Sequence, residues 1–192
     1  MAEPLSRRAI IDATRAFITD EGLDAVSLRR IGARLEVTAP ALYAYVSDKR
    51  DLLRAVAQEE FDQLISAFEA VTDDDPVART RAYSRAYVAH ARANPELFKT
   101  MFLFQPDLGV GEPPESGSPS ATAAFELPAA ALREAIDAGT FRTVDPLMAS
   151  LTMWVAVHGI TDMVLMGFDL DDAFIDDLVD STVDTLVRGF TA

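Results

Sequence analysis

Apolar residues recur along the chain at intervals of three and four. No segment alternates with period two, so the pattern predicts helices and no sheet. Ile10, Ile11, Ala13, Phe17 and Ile18 line one face of a helix over Arg8–Thr19, with Gly22 placed to stop it. Ser27 is a natural N-cap for a short helix over Leu28–Leu35, because its hydroxyl can accept from an otherwise unsatisfied backbone N–H. A second short helix starts at Thr38 or Ala39, with Pro40 in its first turn, where a missing N–H costs nothing. Ser47 and Asp48 cap a long helix over Lys49–Phe68, which carries Leu52, Leu53, Val56, Phe61, Leu64, Ile65 and Phe68 on its apolar side.

Asp73–Asp75 and Pro76 cap a helix running to about Asn94, and the Asn94-Pro95 step ends it and opens another over Glu96–Phe104. Residues 105–120 hold three Gly, four Pro and three Ser and read as a loop, whose order the sequence leaves open. Helical patterning resumes over Ser120–Ala138, where Pro128 is expected to kink or split the element, and Gly139 ends it. The last two helices span Val144–Met166 and Leu170–Phe190, the second with Phe174, Ile175, Leu178, Val179, Val183, Leu186 and Val187 as its stripe. The expectation is an all-α protein of about nine helices, with an N-terminal domain at 1–55 and a C-terminal helical domain at 56–192.

Composition narrows the function classes. A chain of 192 residues that is 49% hydrophobic can build a real core, which rules out dominant disorder. With no Cys there is no disulfide framework, thiolate nucleophile or Cys-based metal site. The opening MAEPLSRRAI has no apolar signal-peptide region, and the greasiest stretch, Met148–Phe168, is interrupted by polar residues, so the reading is a cytoplasmic protein with no membrane partner. The net charge of −14 looks unsuited to nucleic acid, yet it is unevenly spread. Residues 1–55 carry nine Arg and Lys against eight acids, and the rest of the chain carries a net −15. A near-neutral, Arg-containing head on an acidic body suits a local electropositive face, and an ordinary acidic surface fits the same numbers.

Two short helices joined by three or four residues have the outline of a helix-turn-helix, and its physical demands can be checked. A steep crossing needs a small residue, supplied by Gly32, and apolar residues to lock it, supplied by Ile31, Leu35, Val37 and Leu42. The second helix must expose its first residues to base edges, and Thr38, Ala39, Pro40, Ala41 and Tyr43 are short enough or suitably placed. Flanking donors for phosphates are Ser27, Arg29, Tyr43, Tyr45 and Lys49, the last opening a helix whose N–H groups favour an anion.

These residues resemble a known family. SLRRIGARLEVTAPALYAYVSDKRDLL, within residues 7–55, is similar to the DNA-binding domain of the tetracycline-repressor (TetR) family of bacterial transcriptional regulators, most specifically in LYAYVSDKRDLL. Trp154, His158 and Gly159 resemble the Trp-x-x-x-His-Gly signature of one C-terminal subclass, and NPELFKTMF its upstream segment. Three positions depart from the family pattern: Glu36 stands where Gly is common in the turn, Tyr45 where His is usual, and Val46 where Phe is usual. A non-Gly residue at 36 costs about 1 kcal/mol if its φ is positive.

The resemblance implies a homodimer on palindromic double-stranded operator DNA, usually repressing, released when a small molecule enters the C-terminal domain. It implies that the last two helices pair between subunits, with Val157, Ile175, Leu178, Val179, Val183 and Leu186 as candidate contacts. Phe98, Met101, Phe102, Phe125, Trp154, His158 and Asp162 are candidates for an apolar effector cavity. His158 and Asp162 stand four apart on one helix, but two groups do not make a metal site, and a packing histidine beside Trp154 explains them better. The aspartates at 169–177 lack the Gly and Glu of a calcium loop. No nucleophile elbow, phosphate-cradling glycine loop or dinucleotide fingerprint is present, so no enzyme, cofactor or metal is expected. The alternative is a helical ligand-binding or interaction module that does not bind DNA.

Overall fold

The computed structural model describes residues 4–191, which hold nine α-helices, one 3₁₀ turn and no strand. In chain order the helices are α1 (Arg7–Glu21), α2 (Leu28–Arg34), α3 (Ala39–Leu42), α4 (Lys49–Glu69), α5 (Pro76–Ala93), α6 (Pro95–Met101), α7 (Pro119–Asp137), α8 (Pro146–Leu165) and α9 (Asp172–Phe190). Local chemistry sets most boundaries. The Ser6 hydroxyl accepts from the Ala9 N–H to start α1, and Gly22, at φ 86°, ends it with its N–H on the Ile18 carbonyl. Asp145 and Asp171 cap α8 and α9 in the same way. Pro128 lies inside α7 and does not split it. Ala124, Ala129, Ala131, Leu132 and Ala135 bury that helix's inner face, and this packing outweighs the backbone bond that Pro128 removes.

The chain forms two compact units. The first comprises residues up to Asp62 together with Asn94–Ala121. This grouping by packing differs from the division expected at residue 55, because the α6 segment folds back onto α1. Leu97 and Phe104, at 3% and 2% exposure, sit in one cluster with Ile10, Ile18, Ile31, Leu42, Val46, Leu52 and Val56. Beneath it the Glu60 carboxylate of α4, with no exposed surface, meets Arg15 of α1 at 2.5 Å, and Arg15 also reaches Glu59 at 3.4 Å. Burial holds the Glu60 carboxyl above its ordinary range, and Arg15 pulls it back. Residues 105–118 close a loop in this unit: the Ser118 N–H donates to the Gln105 carbonyl, and Arg54 of α4 donates to the Gly117 carbonyl at 2.9 Å.

The second unit comprises Gln63–Ala93 and the chain from Thr122 onward. Here α5, α8 and α9 pack together. Tyr83, Val88, Leu132, Met153, Ile160, Val179 and Val183 are buried, and Phe68 meets Tyr83 edge-on at 5.2 Å. Arg81, Arg85 and Arg92 of α5 pair with Asp184, Asp180 and Asp172 along α9. At the surface such pairs contribute about 0–1 kcal/mol each. Among the described residues α8 alone has the length and mean hydropathy, 1.3, of a membrane span, although the polar interruptions argue against one. Only 33% of that stretch is buried, and Met148, Val155 and Met166 are 59%, 62% and 74% exposed. With Thr152, Gly159 and Asp162 they form an exposed stripe along α8 and its C-terminal end at three- and four-residue spacing.

Candidate nucleic-acid interface

The first unit builds a helix-turn-helix from local rules. The Ser27 hydroxyl accepts from the Arg30 N–H at 3.3 Å and starts α2. Ile31 and Gly32 are its buried positions. A Cβ on Gly32 would lie 2.9 Å from the Val37 carbonyl oxygen and 3.3 Å from the Ala39 nitrogen, so the turn closes against bare backbone. The Val37 N–H then donates to the Gly32 carbonyl at 2.9 Å. Glu36 takes a φ of 58°, the only positive value at a non-glycine among the described residues. Replacing Glu36 by Gly should therefore stabilise the protein by about 1 kcal/mol, seen as a higher thermal midpoint. An unchanged or lower midpoint would show that the turn is not strained.

Burial decides which side of α3 faces outward. Leu42 and Val46 are 0% and 2% exposed and anchor the helix and its exit in the core. Val46 thus fills the plug position even without the usual phenyl ring. Thr38, Pro40, Tyr43, Ala44 and Tyr45 are exposed, and Ala39 and Ala41 are half-buried. The link from α3 to α4 is held by a network that sequence reasoning missed. Arg7 of α1 donates to the Tyr45 carbonyl at 2.7 Å and to both carboxylate oxygens of Asp51 at 3.1 and 2.8 Å. Asp51 in turn accepts from the Ser47 N–H, and its own N–H donates to the Asp48 carboxylate. The Arg7 guanidinium holds the Asp51 carboxyl at about 2. No local pattern signals a pair 44 residues apart.

Pairing also resolves the charge question. Arg7, Arg8, Arg15, Arg30 and Arg34 each face an acid: Asp51, Asp12 and Glu59, Glu60, Glu21, and Asp20. Arg50 and Arg54 lie over the Phe104 ring at 5.8 and 4.6 Å. Arg29 and Lys49 are exposed and have no ion pair among the described residues. The bases left for an external polyanion are thus those at the start of α2 and α4, on either side of α3 in the chain.

The residues expected to line an effector cavity fall in both units. In the first, Phe98 and Met101 are 0% and 1% exposed, Phe102 is 40% exposed, and the two phenyl rings are 5.0 Å apart. In the second, Trp154 stacks on His158 at 5.6 Å and meets Phe125 edge-on at 6.3 Å. The hub of that cluster is Tyr87 of α5, which the sequence reading did not single out. Its hydroxyl accepts from Trp154 Nε1 at 3.3 Å and lies 3.0 Å from His158 Nδ1. Tyr87 and His158 thus share one hydrogen bond, and His158 Nε2 on the other side of the ring lies 3.7 Å from Asp162. Burial lowers the His158 pKa below the ordinary imidazole value, against the pull of Asp162, and keeps the ring neutral at pH 7.

Of the expected dimer contacts, Val157, Ile175, Val179 and Val183 are at most 4% exposed and belong to the second unit's own core. An apolar stripe shows that a face is covered, not which chain covers it, and these four are already covered within one copy of the chain. Leu178 and Leu186 are half-buried.

Comparison with known proteins agrees with this geometry. Residues 10–56 match a family described as bacterial regulatory proteins, tetR family, and residues 80–186 match the tetracyclin repressor-like C-terminal domain. An uncharacterized HTH-type transcriptional regulator of Mycobacterium tuberculosis is 28% identical over 183 residues, covering 91% of this chain and 78% of that protein. A solved structure of a protein of unknown function from Rhodococcus sp. RHA1 superposes with a TM-score of 0.82 at 26% identity, over 99% of this chain and 97% of that one. The structure of AibR in complex with isovaleryl coenzyme A and operator DNA superposes with a TM-score of 0.65 at 20% identity, over 94% and 97%.

Proposed function

Because the chain belongs to the tetR family of bacterial regulatory proteins, matched through both its N-terminal and C-terminal parts, we propose that it is a homodimeric repressor of palindromic operators, released by a small apolar effector. The family places it among DNA-binding, ligand-responsive transcriptional regulators. The observation that carries the reading is the outward face of α3, positioned by Gly32, Leu42 and Val46 and flanked in the chain by the acid-free bases Arg29 and Lys49.

In this reading Ser27, Arg29, Tyr43, Tyr45 and Lys49 grip phosphates, and Thr38, Ala39, Pro40 and Ala41 meet base edges. Two copies are needed, since recognition helices must sit about 34–36 Å apart to reach successive major grooves. The exposed α8 stripe from Met148 to Met166, with Leu178 and Leu186 of α9, is the surface proposed for the second copy. The Tyr87–Trp154–His158 cluster is the proposed effector contact in the second unit, with Trp154, His158 and Gly159 supporting the Trp-His-Gly subclass. AibR, solved with a ligand and operator DNA together, is a precedent for one fold holding both. The protein would act in the cytoplasm, where its DNA lies.

The test separates phosphate grip from base reading. Lys49→Ala should weaken binding to operator and scrambled duplex alike and flatten the log–log salt dependence by about 0.9. Thr38→Ala should change the preference at one base pair by roughly 1–3 kcal/mol and leave the salt slope unchanged. An unchanged slope for Lys49→Ala together with a reduced slope for Thr38→Ala would reverse these roles.

A further inference from the structure

The side chains around α3 leave few ways of reading a base. Between Glu36 and Asp48 the sequence EVTAPALYAYVSD contains no Arg, Lys, Asn, Gln or His. In the major groove guanine is read by the donors of Arg or Lys, and adenine by the paired donor and acceptor of an Asn or Gln amide. Neither recognition is open to this segment. Nor can the helix turn a different side toward DNA, because Leu42 and Val46 are locked into the core.

Outward on and beside α3 are Glu36, Thr38, Pro40 and Ala44, with the half-buried Ala41 and the rings of Tyr43 and Tyr45, which are 57% and 38% exposed; the short groups among them are Thr38, Pro40, Ala41 and Ala44. The Thr38 hydroxyl makes no capping hydrogen bond to α3, so its methyl and hydroxyl are both presented. Short apolar groups gain affinity only against an apolar group on the DNA, and in the major groove the four base pairs offer one, the C5 methyl of thymine. Resting on the regulator reading above, we infer that each half-site is recognised chiefly through thymine methyl groups beneath Thr38, Pro40 and Ala41, so that the operator has T·A pairs at those positions. Specificity then resides in Thr38 and its neighbours as methyl readers, while Arg29, Tyr45 and Lys49 supply sequence-independent affinity.

The experiment begins with the duplex that the protein enriches from a random pool. Each thymidine of the half-site is replaced in turn by deoxyuridine, which removes only the methyl, and Kd is measured by fluorescence anisotropy. At two or more positions per half-site the substitution should weaken binding about fourfold, the ratio that transfer of one methyl-sized group produces. Thr38→Ser, which keeps the hydroxyl and lacks the methyl, should no longer respond to deoxyuridine at one of those positions. Replacing T·A there by 5-methylcytosine·G, which restores a methyl at the same place, should be better tolerated than replacing it by C·G. If uracil at every thymine of both half-sites changes Kd by less than about twofold, or if Thr38→Ser retains the full wild-type pattern, the inference is overturned and the regulator reading stands. If no duplex is enriched, both fall.

Discussion

Replacing Arg15 by Met should destabilise the protein by about 3–5 kcal/mol, the range found when one partner of a buried ion pair is removed. Arg15 meets Glu60, whose side chain has no exposed surface, at 2.5 Å. The loss should depend on pH in a definite sense. Glu60 has a folded-state pKa above the ordinary 4.5 because burial disfavours its charge, and without Arg15 that pKa rises further. A carboxyl whose folded pKa is raised imposes no penalty while it is protonated in both states, below about 4.5. The penalty grows as pH rises through the folded value. The variant should thus approach wild-type stability near pH 4 and fall furthest behind at pH 7, as read by urea denaturation across that range. Arg15→Met combined with Glu60→Met should recover most of the loss, since two apolar side chains of similar volume can replace a buried pair. A single variant as stable as wild type at pH 7 would show that the pair is not buried in solution.

Gly32→Ala should have the larger effect on DNA binding. Its Cβ would lie 2.9 Å from the Val37 carbonyl and 3.3 Å from the Ala39 nitrogen, and both atoms are backbone, so the turn between α2 and α3 must open. Overpacking of this kind costs about 1–3 kcal/mol of stability. The accompanying shift of α3 against the residues proposed to grip phosphates should weaken operator binding more than tenfold, a loss of at least about 1.4 kcal/mol. Helicity by circular dichroism should persist, because α2 and α3 together contribute few residues. Wild-type operator affinity in Gly32→Ala would show that the closeness of this turn does not set the position of α3.

The parts of the structure that were legible in the sequence are those governed by neighbours a few residues apart. The Ser27 cap, Pro40 at the head of α3, Gly32 at the crossing and the helical stripes of α1 and α4 follow from local rules, and the structure shows each. The strain at Glu36 was also foreseeable, because the turn requires a positive φ that only glycine adopts freely. Long-range pairings were not legible. Phe104 completes the core beneath α3 from more than 60 positions away, and Tyr87 joins His158 across 71. Nothing in a periodic stripe names its partner, so the sequence alone does not tell that Ile175, Val179 and Val183 of α9 are buried within one copy of the chain. Conversely α8 hides its outward face from pattern analysis, because it is apolar on most sides and shows little contrast between them.

The most direct test of the central claim is in vitro selection of duplex DNA from a random pool by the purified protein at physiological salt. The proposed homodimer predicts enrichment of a two-fold symmetric sequence whose half-sites lie about one helical turn, roughly 10 base pairs, apart or a multiple of it. A protein that retains DNA only weakly, with no sequence enriched over the starting pool, would contradict it.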